Sequence, residues 1–99
     1  MGAPNHVQHG FFDIALEDRL SFHATRRATE RGIDLVWVAL VLRHGRAIRH
    51  LDTWRISLVG LRRPPHVAVE LWSLALTVVV VESQCGIVLT VFRTRRGSR

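Results

Sequence analysis

Three residues whose side chains are suited to phosphate chemistry follow each other at intervals of four: His23, Arg27 and Arg31. Because four residues advance an α-helix slightly past one turn, all three would lie along one side of a helix. Imidazole can transfer a proton near neutral pH, and guanidinium groups bind phosphate and stabilise developing negative charge. The spacing therefore favours a phosphate-handling surface. The alternative is a solvated basic face on which Glu30 pairs with Arg26 or Arg27.

Two more polar residues stand out further along the chain. Thr90 interrupts an otherwise apolar strand, where its hydroxyl could orient a phosphate, although threonine is common in strands for structural reasons alone. His66 follows Arg63 and a proline pair at the predicted start of another strand. It could line a phosphate site or lie in a surface loop.

Composition favours a polyanionic partner. The chain has 99 residues, which suits one domain, and a net charge of +6 with 14 basic residues, all of them arginine. The codon usage of a GC-rich genome would also explain the missing lysines. Arginine binds phosphate with a planar fork and stacks on bases, so a polyanionic partner is expected, and an acidic protein would also be attracted.

Several other classes of protein are disfavoured. Cys85 is the only cysteine, so the chain has no internal disulfide, and we expect neither a bound metal nor a cofactor. The longest apolar run, residues 74–81, is much shorter than a membrane span, and the N-terminal residues do not resemble a signal peptide. We therefore expect a soluble, cytoplasmic protein that does not bind membranes.

Capping residues predict two helices in the first half of the chain. Residues 21–31 begin at Ser21, a good N-cap, and end before Gly32. Residues 35–44 begin after Asp34 and end at Gly45, although their β-branched side chains would also suit a strand. Residues 11–20 could form a short helical lead-in or the start of a strand.

The second half predicts strands. Residues 46–52, 54–58 and 66–71 have extended or alternating patterns, and residues 76–82 and 87–92 predict a hairpin closed by a turn at Gly86. The unbroken apolar run 78–81 indicates a central strand that is covered on both faces. The predicted class is α+β, with two N-terminal helices on one face of a curved, mostly antiparallel sheet of four to five strands. We predict a flexible tail at 1–10, one domain at 11–93, and a basic tail at 94–99.

The helix and strand motifs together resemble a known family. Residues 23–33 are similar to the signature His-Ala-x-x-Arg-Met-x-x-Arg-Gly-Ile of the family called domain of unknown function 4258, with Ala28 in place of the methionine. The resemblance continues in Thr90-Val91-Phe92, similar to the closing strand motif of that family, and in the Arg-Pro-x-His-like segment that ends at His66. It covers about residues 20–93. The apolar segment 71–76 departs from the family pattern and suggests an added strand or edge segment.

The resemblance implies a fold grouped with the barnase, EndoU, colicin and RelE ribonuclease toxins, and a metal-independent ribonuclease activity. Carried over by position, His23, Arg27, Arg31 and Thr90 become the candidate catalytic residues. Arg26, Arg63 and His66 are the candidate substrate-binding residues. The implied partners are RNA and an acidic antitoxin or immunity protein, and a homodimer stays open. The alternatives are a non-catalytic RNA- or protein-binding module of the same fold, and a structural subunit in which Arg27 and Arg31 are held in ion pairs.

Overall fold

The computed structural model describes residues 16–94. The predicted tail 1–10, most of the predicted tail 94–99 and the first half of the lead-in segment lie outside this range. The elements in chain order are α1 (Leu16–Arg19), α2 (Phe22–Glu30), α3 (Leu35–His44), β1 (Arg46–His50), β2 (Thr53–Ser57), α4 (Val69–Ala75), β3 (Val78–Ser83) and β4 (Val88–Arg93). The predicted α+β class is confirmed.

Helix α2 begins and ends at the residues that its capping pattern predicts. The Ser21 hydroxyl accepts a hydrogen bond from the Ala24 N–H at 3.0 Å, which satisfies one of the free donors of the first turn. At the other end, Gly32 has a φ of 65°, and the Ile33 N–H donates to the Ala28 carbonyl at 2.8 Å. This is the Schellman arrangement, and it turns the chain sharply towards α3.

Residues 35–44 form helix α3, although their β-branched side chains would also suit a strand. Asp34 caps the helix by accepting a hydrogen bond from the Val36 N–H at 2.8 Å, and Val38 and Val41 are fully buried. Tertiary burial therefore outweighs the preference of β-branched residues for strands. Gly45 ends the helix as predicted, but with a φ of −73° rather than a left-handed backbone.

The sheet is antiparallel throughout, in the order β1-β2-β3-β4. The predicted hairpin is present as β3 and β4, and β3 lies centrally between β2 and β4. Val78 and Val80 are fully buried on one face of β3, while Val79 on the other face is 9% exposed. Strand β1 is one edge of the sheet, and all five of its residues are exposed.

The segment between β2 and β3 is helical, which corrects two predictions. Residues 66–71 were expected to be extended, and residues 71–76 to add a strand, whereas Val69–Ala75 forms α4. Trp72 and Ala75 lie three residues apart on one helix face and are both buried. The ring of Trp72 lies 6.0 Å from that of His44 at the end of α3, so packing against α3 accounts for the helix. A helix between two strands also departs from the predicted order, in which both helices preceded the sheet.

The hydrophobic core lies between the helices and one face of the sheet. It combines Ala24, Ala28, Val38, Val41, Trp72 and Ala75 from the helices with Ile56, Val78, Val80, Val88 and Val91 from the strands. None of the helices within residues 16–94 has the length and apolar content needed to cross a membrane.

Candidate functional site

The four candidate catalytic residues line one open groove between α2 and β4. Its volume is about 600 Å³. One wall comes from α2 and the residue after it, and the other comes from the edge strand β4. The lining residues are His23, Arg27, Arg31, Thr90, Phe92 and Arg93. The groove therefore presents an imidazole, guanidinium groups and a hydroxyl to the same space.

Hydrogen bonds at both ends of α2 fasten it to the outer edge of β4. At the start of the helix, Ser21 donates its N–H to the Val88 carbonyl at 2.9 Å and its hydroxyl to the Leu89 carbonyl at 3.2 Å. At the other end, Arg31 Nη1 donates to the Val91 carbonyl at 2.8 Å. These bonds satisfy strand-edge carbonyls that would otherwise need water or a partner strand. They also fix the width of the groove.

Small side chains allow this close packing. Ala24 and Ala28 form the buried face of α2 and are 0% and 3% exposed. Ala28 is the position at which the resembled motif has methionine. Because His23 and Arg27 each precede one of these alanines, they flank the buried face and reach the groove.

Arg27 is the central contact of the groove. Its Nε donates to His23 Nε2 at 3.3 Å, and its Nη1 donates to Glu30 Oε1 at 2.8 Å. In this arrangement His23 Nε2 accepts the hydrogen bond from Arg27. Arg27 therefore orients the imidazole and occupies the lone pair that would accept a proton.

Glu30 also binds Arg26, at 3.5 Å between Nη2 and Oε2. The hydrogen bond from Arg27 is the main cause that holds the pKa of Glu30 below its ordinary value of 4.5. Because the folded-state pKa is lowered, the ion pairs contribute stability above pH 4.5 that is lost as pH falls through the folded-state value. Both ion pairs of the alternative basic-face explanation are thus present. Arg31, by contrast, bonds a backbone carbonyl.

The three predicted substrate-binding residues do not line the groove. Arg26 borders a separate depression of about 260 Å³ with Thr25, Thr29 and Glu30. Arg63 Nη1 donates to the Val67 carbonyl at 2.7 Å and so braces the turn before α4. The structure separates these side chains from the four groove residues.

His66 lies near the C-terminal end of α3, with its ring 6.0 Å from that of His44. Burial is the main cause that lowers the pKa of His44, and the charges of Arg43 and His66 act in the same direction. This pair of rings packs beside Trp72 rather than beside the groove. His66 therefore lies in a different part of the structure from the four groove residues.

Two groove residues were not predicted as site residues. The sequence marks Phe92 only as part of a strand motif and Arg93 only as the end of the predicted domain. Arg93 Nε donates to Thr77 Oγ1 at 3.3 Å, and its guanidinium carbon lies 5.7 Å from the centre of a Trp37 ring. The position of an arginine directly after a strand motif is only a weak indication of a functional residue, because Arg93 reaches the groove through the packing of β4 beside α2 and α3.

The bond from Arg31 to the strand edge makes a prediction about stability. We expect Arg31→Met to lower the free energy of unfolding by about 1–2 kcal/mol, because the Val91 carbonyl loses a charged donor while most of the apolar stem is kept. Urea unfolding would measure this. Arg26→Met is the matched control, since Arg26 has an exposed ion pair with Glu30 and a ring contact with the exposed Phe22, and its effect should stay within about 0.5 kcal/mol. Equal effects of the two changes would contradict the role assigned to Arg31.

Within the described part of the chain, no cluster of three or more His, Cys, Asp or Glu side chains is arranged to hold a metal ion. The chain matches no protein-family model, no curated protein and no solved structure.

Proposed function

We propose that the groove binds the phosphodiester backbone of RNA and cleaves it. The observation that carries the proposal is the convergence of His23, Arg27, Arg31 and Thr90 on one space of about 600 Å³. Transesterification of RNA needs proton transfer and stabilisation of the charge on the phosphate. The imidazole can transfer a proton, and the guanidinium groups and the hydroxyl can bind the phosphate. The proposal gives no step to a metal ion. The net charge of +6 supports a polyanionic substrate.

In the proposed reaction, the 2′ oxygen attacks the adjacent phosphorus and the bond from phosphorus to the 5′ oxygen breaks. In one assignment His23 accepts the proton of the 2′ hydroxyl and solvent water donates a proton to the departing 5′ oxygen. In the reverse assignment water takes up the 2′ proton and His23 donates a proton to the 5′ oxygen. Arg27 and Arg31 neutralise the charge that builds up on the phosphoryl oxygens, and Thr90 orients the phosphate by a hydrogen bond. The products carry a 2′,3′-cyclic phosphate and a 5′ hydroxyl.

Arg27 has to change partners for this reaction. In the free protein its Nε engages His23 Nε2 and its Nη1 engages Glu30. A phosphate offers two oxygens to the same guanidinium fork, and the transfer of Arg27 to that phosphate would release the imidazole lone pair. Glu30 then acts as a competitor that holds Arg27 until substrate arrives.

This competition makes Glu30→Gln a directional test. We expect the affinity for a short fluorescent RNA to rise about two- to fivefold, because the change removes an exposed ion-pair partner that competes with the phosphate for Arg27. Fluorescence anisotropy at fixed salt would measure the change. Glu70→Gln removes the same charge from an exposed position on α4 and should have a smaller effect. If both changes raise the affinity equally, only net charge is involved.

A second candidate is a non-catalytic RNA-binding module of the same fold. The pairing of Arg27 with Glu30 and the bond of Arg31 to the Val91 carbonyl favour it, because both arginines already have structural contacts. Incubation of wild-type protein with labelled RNA in EDTA separates the two candidates. Cleavage supports the first, and salt-sensitive binding that leaves the RNA intact supports the second. If RNA is neither bound nor cut, both are wrong.

The proposal extends to a toxin-like role in the cytoplasm, which follows from the resemblance to the family of domain of unknown function 4258. An acidic antitoxin or immunity protein would then be the natural inhibitor, since its charge would complement the arginines of the groove. The motif residues 23–33 and Thr90-Val91-Phe92 support this part of the proposal.

A further inference from the structure

Phe92 is a half-buried aromatic residue in the wall of the groove. The guanidinium carbon of Arg55 lies 6.0 Å from the centre of its ring, within the range of a cation–π contact. The ring and the guanidinium plane thus form a pair of flat groups beside the side chains proposed to hold phosphate.

The register of the sheet places this pair on the face opposite the core. Arg55 pairs with Val81, Val81 pairs with Thr90, and Phe92 lies two residues after Thr90 on the same strand. Side chains alternate between the two faces of a strand, so Arg55, Thr90 and Phe92 share one face. The core cluster uses the opposite face, through residues such as Val80. Phe92 therefore stands on the outer face next to Thr90, where the groove opens.

We propose that Phe92, together with Arg55, is a stacking site for one nucleobase of single-stranded RNA. This inference rests on the proposed function, because it places on Phe92 the base next to the phosphate that Arg27 and Arg31 are proposed to hold. Unpaired bases stack on aromatic rings and on the planes of arginine side chains. Bases in a duplex are already stacked and paired, so the site selects single strands.

A purely structural role makes a different prediction. If Phe92 served only to cover Val79, which it faces across the β3–β4 pair, then any apolar side chain of similar size would replace it. Phe92→Leu keeps apolar cover and removes the flat ring. Phe92→Trp keeps a larger ring. The two variants separate stacking from covering.

The test measures the affinity of an eight-nucleotide fluorescent oligouridylate, with His23→Ala as the background so that the RNA stays intact. We expect Phe92→Leu to weaken binding about tenfold to a hundredfold and Phe92→Trp to retain it. An oligomer of the same length that lacks all bases should bind the parent and Phe92→Leu equally. A duplex RNA should also show no difference between them.

Phe22→Leu is the matched control. Phe22 is 79% exposed on α2, and the guanidinium carbon of Arg26 lies 5.9 Å from its ring centre, so it offers a similar pair that does not line the groove. We expect no change in RNA affinity there. If the His23→Ala parent binds RNA but Phe92→Leu in that background binds it equally well, or loses affinity for the baseless oligomer to the same extent, the stacking site is wrong and the proposed function stands. If wild-type protein binds no RNA, the proposed function itself fails.

Discussion

Replacement of His23 by alanine is expected to lower the rate of RNA cleavage by about 10²–10⁴-fold, the usual contribution of a positioned acid–base group. Among the residues that the structure describes, 16–94, His23 is the only imidazole that lines the groove, and its Nε2 accepts a hydrogen bond from Arg27 at 3.3 Å. Loss of the imidazole would remove the proposed proton transfer but leave the arginines that are proposed to bind phosphate. RNA affinity should therefore change much less than the cleavage rate.

The control for His23→Ala is His50→Ala. His50 is exposed on β1, at the opposite edge of the sheet from β4, and does not line the groove. Its replacement should leave the cleavage rate within about twofold of wild type, since surface changes away from such features have small effects. Cleavage at the same rate in wild type and His23→Ala would remove His23 from the mechanism.

Replacement of Gly45 by alanine is expected to have the largest effect on stability, a loss of about 1–3 kcal/mol or more in the free energy of unfolding. A Cβ at this position would meet the carbonyl oxygens of Val41 and Ser57 and would lie 2.7 Å from Cγ2 of Ile56. Two of these three atoms belong to the backbone and cannot rotate away. The end of α3 would have to shift relative both to its own Val41 carbonyl and to β2, and denaturant unfolding would measure the cost.

Gly60→Ala supplies the contrast. Gly60 has a φ of 80° and no neighbouring heavy atom within 4 Å of the added Cβ. Only the strain of a left-handed alanine is then expected, about 1 kcal/mol. If Gly45→Ala were no more destabilising than Gly60→Ala, close packing between α3 and β2 would not be the reason for glycine at position 45.

Local signals were sufficient to predict α2, α3 and the final hairpin. Ser21 and Asp34 satisfy the free N–H groups of their helices, and Gly32 provides the left-handed residue after α2. These interactions span only a few residues, so the sequence pattern contains the whole arrangement. The spacing of His23, Arg27 and Arg31 could likewise be read from the chain alone.

Features that depend on distant packing could not be predicted in the same way. Helix α4 was mistaken for a strand because Val67 and Val69 favour extended backbone, whereas the contact between Trp72 and His44 that accompanies the helix spans 28 positions. For the same reason Phe92 and Arg93 could not be predicted as groove residues, because they reach the groove only through the position of β4 at the edge beside α2. The sequence does not decide whether Glu30 pairs with Arg26 or with Arg27, because spacings of three and four residues are equally good on a helix. Both pairs are present in the structure.

The central claim is that this groove uses the 2′ hydroxyl of RNA as the attacking group. The most direct test is a DNA oligonucleotide that contains a single ribonucleotide, incubated in EDTA with wild-type protein and with His23→Ala. The account predicts that wild-type protein cuts only on the 3′ side of the ribonucleotide and leaves a 2′,3′-cyclic phosphate, while His23→Ala leaves the strand intact on the same timescale. Cleavage of an all-deoxy strand at the same rate, or no cleavage of the ribonucleotide strand by wild-type protein, would contradict it.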